Sequence, residues 1–183
     1  MDPRTFLPPP EVPTAHPPHV GERARALPVE LDGRPTVVVF LRHMGCPFAE
    51  ATFKRLRDIA DADPGTRWIA VSHGAQRATQ SWCSAVAGGP GEIEVIVDAE
   101  RRAYGAWGLG RTSLGHFLGA RSLREVSRLA RRGIRNRHPS GTRWQSAGAF
   151  GIDAAGIVRF VHVPRHAGDL PDVSVAAARA QAR

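Results

Sequence analysis

Lysine is almost missing from this 183-residue chain: Lys54 is the only lysine among its 25 basic residues, the others being arginine. Acids are too few to balance them, so the formal net charge is +8 and the pI about 11.2. Such a charge fits nucleic acid or an acidic membrane. An arginine excess with a single lysine, however, reads as coding bias as much as selection for a partner, and it argues against a nucleic-acid site. No apolar run approaches the roughly 18 residues that cross a bilayer, which excludes a membrane helix. The N-terminus has no basic stretch followed by an apolar one, so no secretory signal is expected and the cytoplasm is the expected compartment. Cysteine is scarce too, with only Cys46 and Cys83. In a reducing compartment two cysteines do not make a disulfide framework; they are buried or reactive thiols.

What is present is ordered along the chain. Seven of the first eighteen residues are proline, so residues 1–25 are expected as an extended arm, with 26–183 forming one domain. Val29–Gly33 reads as a short strand and turn. Thr36–Leu41 is a continuous β-branched and aromatic run, the pattern of a strand buried on both faces. A helix follows Cys46, with Ala49, Phe53, Leu56 and Ile59 on its apolar side and Glu50, Lys54, Arg57 and Asp58 facing out. Asp63-Pro64-Gly65 stops it. Strands at Arg67–Val71 and Ile93–Val97 alternate with helices at Gln76–Val86 and Arg101–Trp107. An arginine-rich helix at 121–132 should bury Leu123, Val126, Leu129 and Ala130. Ala147–Ile152 and Ile157–Val163 form a hairpin around Asp153–Gly156, and an alanine-rich helix closes the chain. The order predicts an α/β fold with a central mixed sheet flanked by helices on both faces, the thioredoxin-like plan.

Cys46 stands where the first buried strand turns into a helix. Pro47 suits the first helical position, which makes Cys46 the cap, and Gly45 permits close backbone approach. The unpaired N–H groups and the positive dipole end of a helix start favour thiolate over thiol, and thiolate is the nucleophilic form. The carboxyl end of a strand in an open α/β sheet is also where ligands bind.

The segment Phe40–Glu50, with Val97–Gly108, Gly141–Phe150 and Gly151–Arg159, resembles the peroxiredoxin-like proteins of the alkyl hydroperoxide reductase/thiol-specific antioxidant (AhpC/TSA) family. The resemblance runs from about residue 30 to 175. It implies a thioredoxin-like fold, a peroxidatic-type cysteine at Cys46, a small peroxide or disulfide as substrate, an external thiol as reductant, and no prosthetic group. Monomer and homodimer are both left open. His43 occupies the position where these proteins carry Thr or Ser. Ala49 stands where a thioredoxin has its second cysteine, which excludes a CxxC exchange. The expected arginine before the late strand is displaced to Arg143, with Gln145 nearer.

Other residues are assigned around this centre. Strand alternation lets at most one of Arg42 and His43 point inward, and His43 is favoured as a source of positive charge or a proton. Arg42, Gly45, Pro47, Arg143 and Gln145 are the candidate substrate contacts. Cys83 either resolves a Cys46 sulfenic acid or is a small buried helix residue. Trp82, Trp107 and Trp144 either wall an apolar pocket near the thiol or serve as core aromatics. His162 and His166 do not form a metal site, because Pro164 and a strand end break a rigid helical spacing. From Arg121 to Arg143 eight arginines face one acid, Glu125, so a rival reading is a non-catalytic binding or redox-sensing module using that surface. A third is an enzyme of specialised metabolism on the same fold.

Overall fold

The computed structural model describes residues 8–113 and 119–182. Its strands are β1 (Thr36–Phe40), β2 (Arg67–Ser72), β3 (Ile93–Val97), β4 (Gly148–Ile152) and β5 (Val158–His162). Its helices are α1 (Pro47–Ala60), α2 (Gln76–Ala87), α3 (Arg102–Ala106), α4 (Ala120–Arg131) and α5 (Val173–Gln181). The sheet order is β3-β2-β1-β4-β5. β1, β2 and β3 are parallel, with Val38 opposite Ile69 and Ala70 opposite Val95. β4 runs antiparallel to β1, placing Gly148 opposite Phe40, and β5 pairs antiparallel with β4.

Every side chain of β1 is buried because the strand is central and covered on both faces. Val37 and Val39 join Trp68, Ala70 and Ala149 in the layer under α1, α2 and α5, where Phe53, Leu56, Trp82 and Ala176 are packed. Val38 and Phe40 face the opposite layer with Ile69, Val71, Tyr104, Trp107 and Phe150. There Phe40 sits 5.0 Å from the Tyr104 ring and 5.7 Å from that of Trp107. α3 is short, and Asp98 holds its start: the carboxylate accepts from the N–H groups of Arg102, Ala103 and Tyr104 at 3.0, 2.8 and 3.2 Å.

Two expectations change. Val29–Gly33 is not a strand. The Glu30 carbonyl accepts from Arg67 Nη1, and Asp32 folds back on Arg34, so this stretch lies over the second apolar layer and pairs with no strand. Among the described side chains of α4, Ser122 and Leu129 are buried and Val126 is half-buried, whereas Ala130 is exposed. The Leu123 side chain lies outside the described set. The proline-rich residues 8–25 are extended and docked: Ala15 N–H donates to Gly105 O (2.9 Å), and Gly21 N–H to Val158 O (2.8 Å).

The topology gathers four segments at one edge. These are the carboxyl ends of β1, β2 and β3 and the residues leading into β4, the edge where an open α/β sheet builds its sites.

Candidate active site

Cys46 caps α1 with extended backbone (φ −73°, ψ 129°), and Pro47 opens the helix. Its N–H donates to His43 O (3.2 Å) and its carbonyl accepts from Glu50 N–H (3.0 Å). The residue is only 4% exposed. Gly45 before it adopts φ +89°, a left-handed conformation that suits glycine. A Cβ there would come within 2.6 Å of His138 O and 2.7 Å of Arg137 O. Gly45 thus lets a strap, residues 137–141, lie directly on the cysteine turn. Arg137 N–H donates to Gly45 O (2.9 Å), while Met44 and Ser140 exchange backbone hydrogen bonds at 3.1 Å.

Arg42 and His43 are both buried, contrary to the one-inward expectation. β1 ends at Phe40, so these residues belong to a turn in which strand alternation no longer holds. Arg42 donates through Nη2 to Arg143 O (3.1 Å), joining the cysteine turn to the segment before β4. His43 Nδ1–H donates to Met44 O (3.0 Å), which leaves Nε2 with its lone pair. Burial lowers the His43 pKa to about 4; the Met44 hydrogen bond opposes this, and the charges of Arg42 and Arg143 add to it. His43 is therefore a neutral acceptor at neutral pH. The positive charge beside it belongs to Arg42 and Arg143.

A second histidine, His73, was not singled out by the sequence. It follows β2 at the same edge, is buried, donates through Nε2 to Thr142 O (3.1 Å), and places Nδ1 3.3 Å from the Tyr104 oxygen. Burial lowers its pKa to about 4 as well, against the Thr142 hydrogen bond and with the charges of His43, Arg101 and Arg42. The Tyr104 hydroxyl donates to the carbonyls of Leu41 (2.6 Å) and Val71 (2.8 Å), tying the ends of β1 and β2 together.

Glu50, expected to face out, is buried one turn beyond Cys46. Its carboxylate accepts from Lys54 Nζ (2.9 Å) and from Arg137 Nε (3.0 Å) of the strap. Burial raises its pKa, but the hydrogen bonds and charges of Arg137 and Lys54 prevail and hold the carboxyl below its ordinary range.

The remaining candidates divide. Cys83 lies inside α2, 2% exposed, in the same apolar layer as Cys46, and both thiols are free. Burial pushes the Cys83 thiol up to about 11, against a backbone hydrogen bond, so it is protonated at neutral pH. Gln145 spends its amide on the carbonyls of Leu109 and Gly110, fixing that loop. Of the tryptophans, Trp82 shares the Cys46 layer, its ring tilted 56° to that of Phe53 at 5.2 Å, whereas Trp107 lies across the sheet, so the three do not wall one pocket. Trp144 carries the Arg111 guanidinium 5.8 Å above its ring. A cavity of about 20 Å³ bounded by Leu41, Arg42, Phe48, Ala49 and Thr52 adjoins the first turn of α1, with room for about one water. The arginine-rich stretch is narrower than its sequence suggests. Arg128 pairs with Glu125 and Arg137 with Glu50, leaving Arg124, Arg131, Arg132 and Arg135 exposed; the Arg121 side chain lies outside the described set. Among the described residues no three His, Cys, Asp or Glu side chains converge on a metal position, and no helix is long and apolar enough to cross a membrane.

Comparison with known proteins bears on the fold and the family. No curated protein matches significantly. Among solved structures, a peroxiredoxin-like protein from Aquifex aeolicus superposes with TM-score 0.63 at 16% identity, covering 91% of this chain and 88% of its own. A thiol peroxidase from Chromobacterium violaceum gives 0.55 at 14% identity over 88% and 86%. A mutant peroxiredoxin 6 of Arenicola marina gives 0.56 at 13% identity over 78% and 58%. At these identities the likeness concerns the fold. The family model described as AhpC/TSA antioxidant enzyme matches residues 52–166, more than half of the chain though starting just past Cys46. The chain belongs to the AhpC/TSA antioxidant enzyme family and has its thioredoxin-like, peroxiredoxin-like fold.

Proposed function

We propose that this protein is a thiol peroxidase in which Cys46 is the nucleophile. The observation that carries this reading is the placement of Cys46 as the cap of α1, with Arg42 and His43 buried in the turn before it and Arg143, whose carbonyl accepts from Arg42, adding its charge at His43. Cys46 as thiolate attacks one peroxide oxygen. The O–O bond breaks, sulfur is oxidised to sulfenic acid, and the other oxygen leaves as alkoxide or hydroxide and takes up a proton as alcohol or water. Arg42 and Arg143 offset the negative charge that grows on the leaving oxygen. His43 Nε2 accepts the hydrogen bond of the peroxide O–H, a role its neutral form suits.

Regeneration falls to an external thiol, supplied by a reducing cytoplasm. It condenses with the sulfenic acid to give a mixed disulfide and water, and a second thiol displaces Cys46 from that disulfide. A buried, protonated Cys83 is a poor resolving group, which favours the external thiol over an internal disulfide. With Ala49 in place of a second cysteine, the thiol-disulfide exchange of a CxxC pair is closed to this site.

Thiol-supported consumption of hydrogen peroxide or an organic hydroperoxide tests the reading. Turnover is expected in the wild type, in Cys83→Ala, and not in Cys46→Ser. Turnover that survives Cys46→Ser would sink it.

A further inference from the structure

Three links form a closed circuit around the cysteine turn. The Cys46 carbonyl accepts from Glu50 N–H (3.0 Å), and the Glu50 carboxylate accepts from Arg137 Nε (3.0 Å). Arg137 N–H in turn donates to Gly45 O (2.9 Å). Glu50 and Arg137 are 87 residues apart in sequence, so the circuit joins the first turn of α1 to the strap. The strap itself is irregular backbone with largely exposed side chains, anchored upstream by Ile134 N–H on Leu129 O (3.1 Å) and downstream by Met44 and Ser140. A buried carboxylate is costly unless paired. Glu50 is paired twice: by Lys54 within its own helix, and by Arg137 from the strap. The first pair leaves the strap untouched; only the second reaches across to it.

We propose that Glu50 is a positioning residue for Cys46. Through Arg137 it clamps the strap onto Met44 and Gly45, which fixes the geometry of the cysteine turn and sets how far the sulfur is open to solvent. With the clamp closed, Cys46 presents one orientation to a small substrate and is shielded from larger reagents. With it open, the sulfur is more accessible but less well placed. The effect on peroxide rate rests on the proposed peroxidase reading; the effect on accessibility does not.

Two rates measured on the full-length protein test this: alkylation of Cys46 by iodoacetamide, and reaction of the reduced protein with hydrogen peroxide. Glu50→Gln and Arg137→Ala should each speed alkylation roughly five-fold, as expected for losing one half-exposed charge-assisted hydrogen bond. Both should slow the peroxide reaction by a similar factor. A general loosening of the fold would also expose Cys83, which is buried inside α2, so Cys83 alkylation should stay unchanged in both variants and a rise in it would overturn the clamp. The double variant should match the single ones, because both remove the same link. Lys54→Ala should leave both rates unchanged, and Arg137→Lys should restore part of the peroxide rate. Arg137 is 42% exposed in its side chain, so its replacement leaves the core intact should Glu50→Gln fold poorly. Unchanged alkylation in Arg137→Ala overturns the clamp. A wild type inert to peroxide overturns the peroxidase reading alone, and the alkylation rates then decide the clamp by themselves.

Discussion

Lowering the pH from 7 to 5 should cost this protein a large part of its stability, through His43 and His73. Both are buried, and burial holds each pKa at about 4 against an ordinary 6.5. The groups around them are cationic or neutral: Arg42 and Arg143 near His43, and His43, Arg101, Arg42 and Tyr104 near His73. On unfolding, each histidine regains its ordinary pKa, so the unfolded chain takes up protons first as the pH falls below 6.5. Stability contributed by the neutral rings is therefore complete above about pH 7, declines from 6.5 to 4, and changes no further below that. At 1.36 kcal/mol per pH unit, the loss at pH 5 is about 2 kcal/mol per histidine and about 4 for the pair. That is a large share of the 5–15 kcal/mol typical of a domain. The carboxyls held low by their partners, such as Glu50 and Asp169, add their losses only below their own ordinary range, so the window from 7 to 5 isolates the histidines. Urea unfolding at pH 7, 6 and 5 measures the slope. His73→Gln, whose amide can still donate to Thr142 O, should remove about half of it. Equal stability at pH 7 and 5, or an undiminished slope in His73→Gln, would refute the reasoning.

Three further outcomes follow from single contacts. In the folded protein Cys46, at the start of α1, should be the thiol that iodoacetamide modifies, and Cys83 should react only after denaturation, because it lies inside α2 and its pKa is near 11; peptide mass spectrometry separates the two. Gly45→Ala should destabilise by about 1–3 kcal/mol in urea melts, since a left-handed φ and two carbonyl oxygens oppose a Cβ there. The same variant should also speed Cys46 alkylation by displacing the strap. Asp98→Ala should cost about 2 kcal/mol and loosen α3, because three N–H groups lose their shared acceptor; hydrogen exchange at Ala103 and Tyr104 checks it.

The parts legible in the sequence are those set by neighbouring residues. An unbroken apolar run from Thr36 marks the central strand, Asp153 to Gly156 marks the hairpin, and Pro47 after Cys46 marks a helix start and its cap. What the sequence conceals comes from segments distant along the chain. Glu50 sits on the polar side of the α1 pattern, and only the arrival of Arg137 turns that side into an interior. His73 is one histidine in a loop until the sheet sets it beside Tyr104 and Thr142. The alternation argument for Arg42 and His43 assumed that the strand continued, yet the chain turns after Leu41 and buries both. Val29–Gly33 has a strand-like pattern, but its polar groups pair with Arg67 and Arg34 instead of a neighbouring strand. Trp107 and Trp82 cannot be assigned to opposite layers without knowing which helix covers which face.

The central claim is that Cys46 performs the chemistry. Its most direct test is a single-turnover reaction of the reduced protein with hydrogen peroxide and with an organic hydroperoxide, followed by stopped flow and by mass spectrometry of the trapped product. The account predicts one oxygen added to Cys46, trapped as a sulfenic acid adduct, with Cys83 unmodified and the reaction abolished in Cys46→Ser. An unmodified Cys46 after peroxide exposure, or oxidation at the same rate in Cys46→Ser, would contradict it.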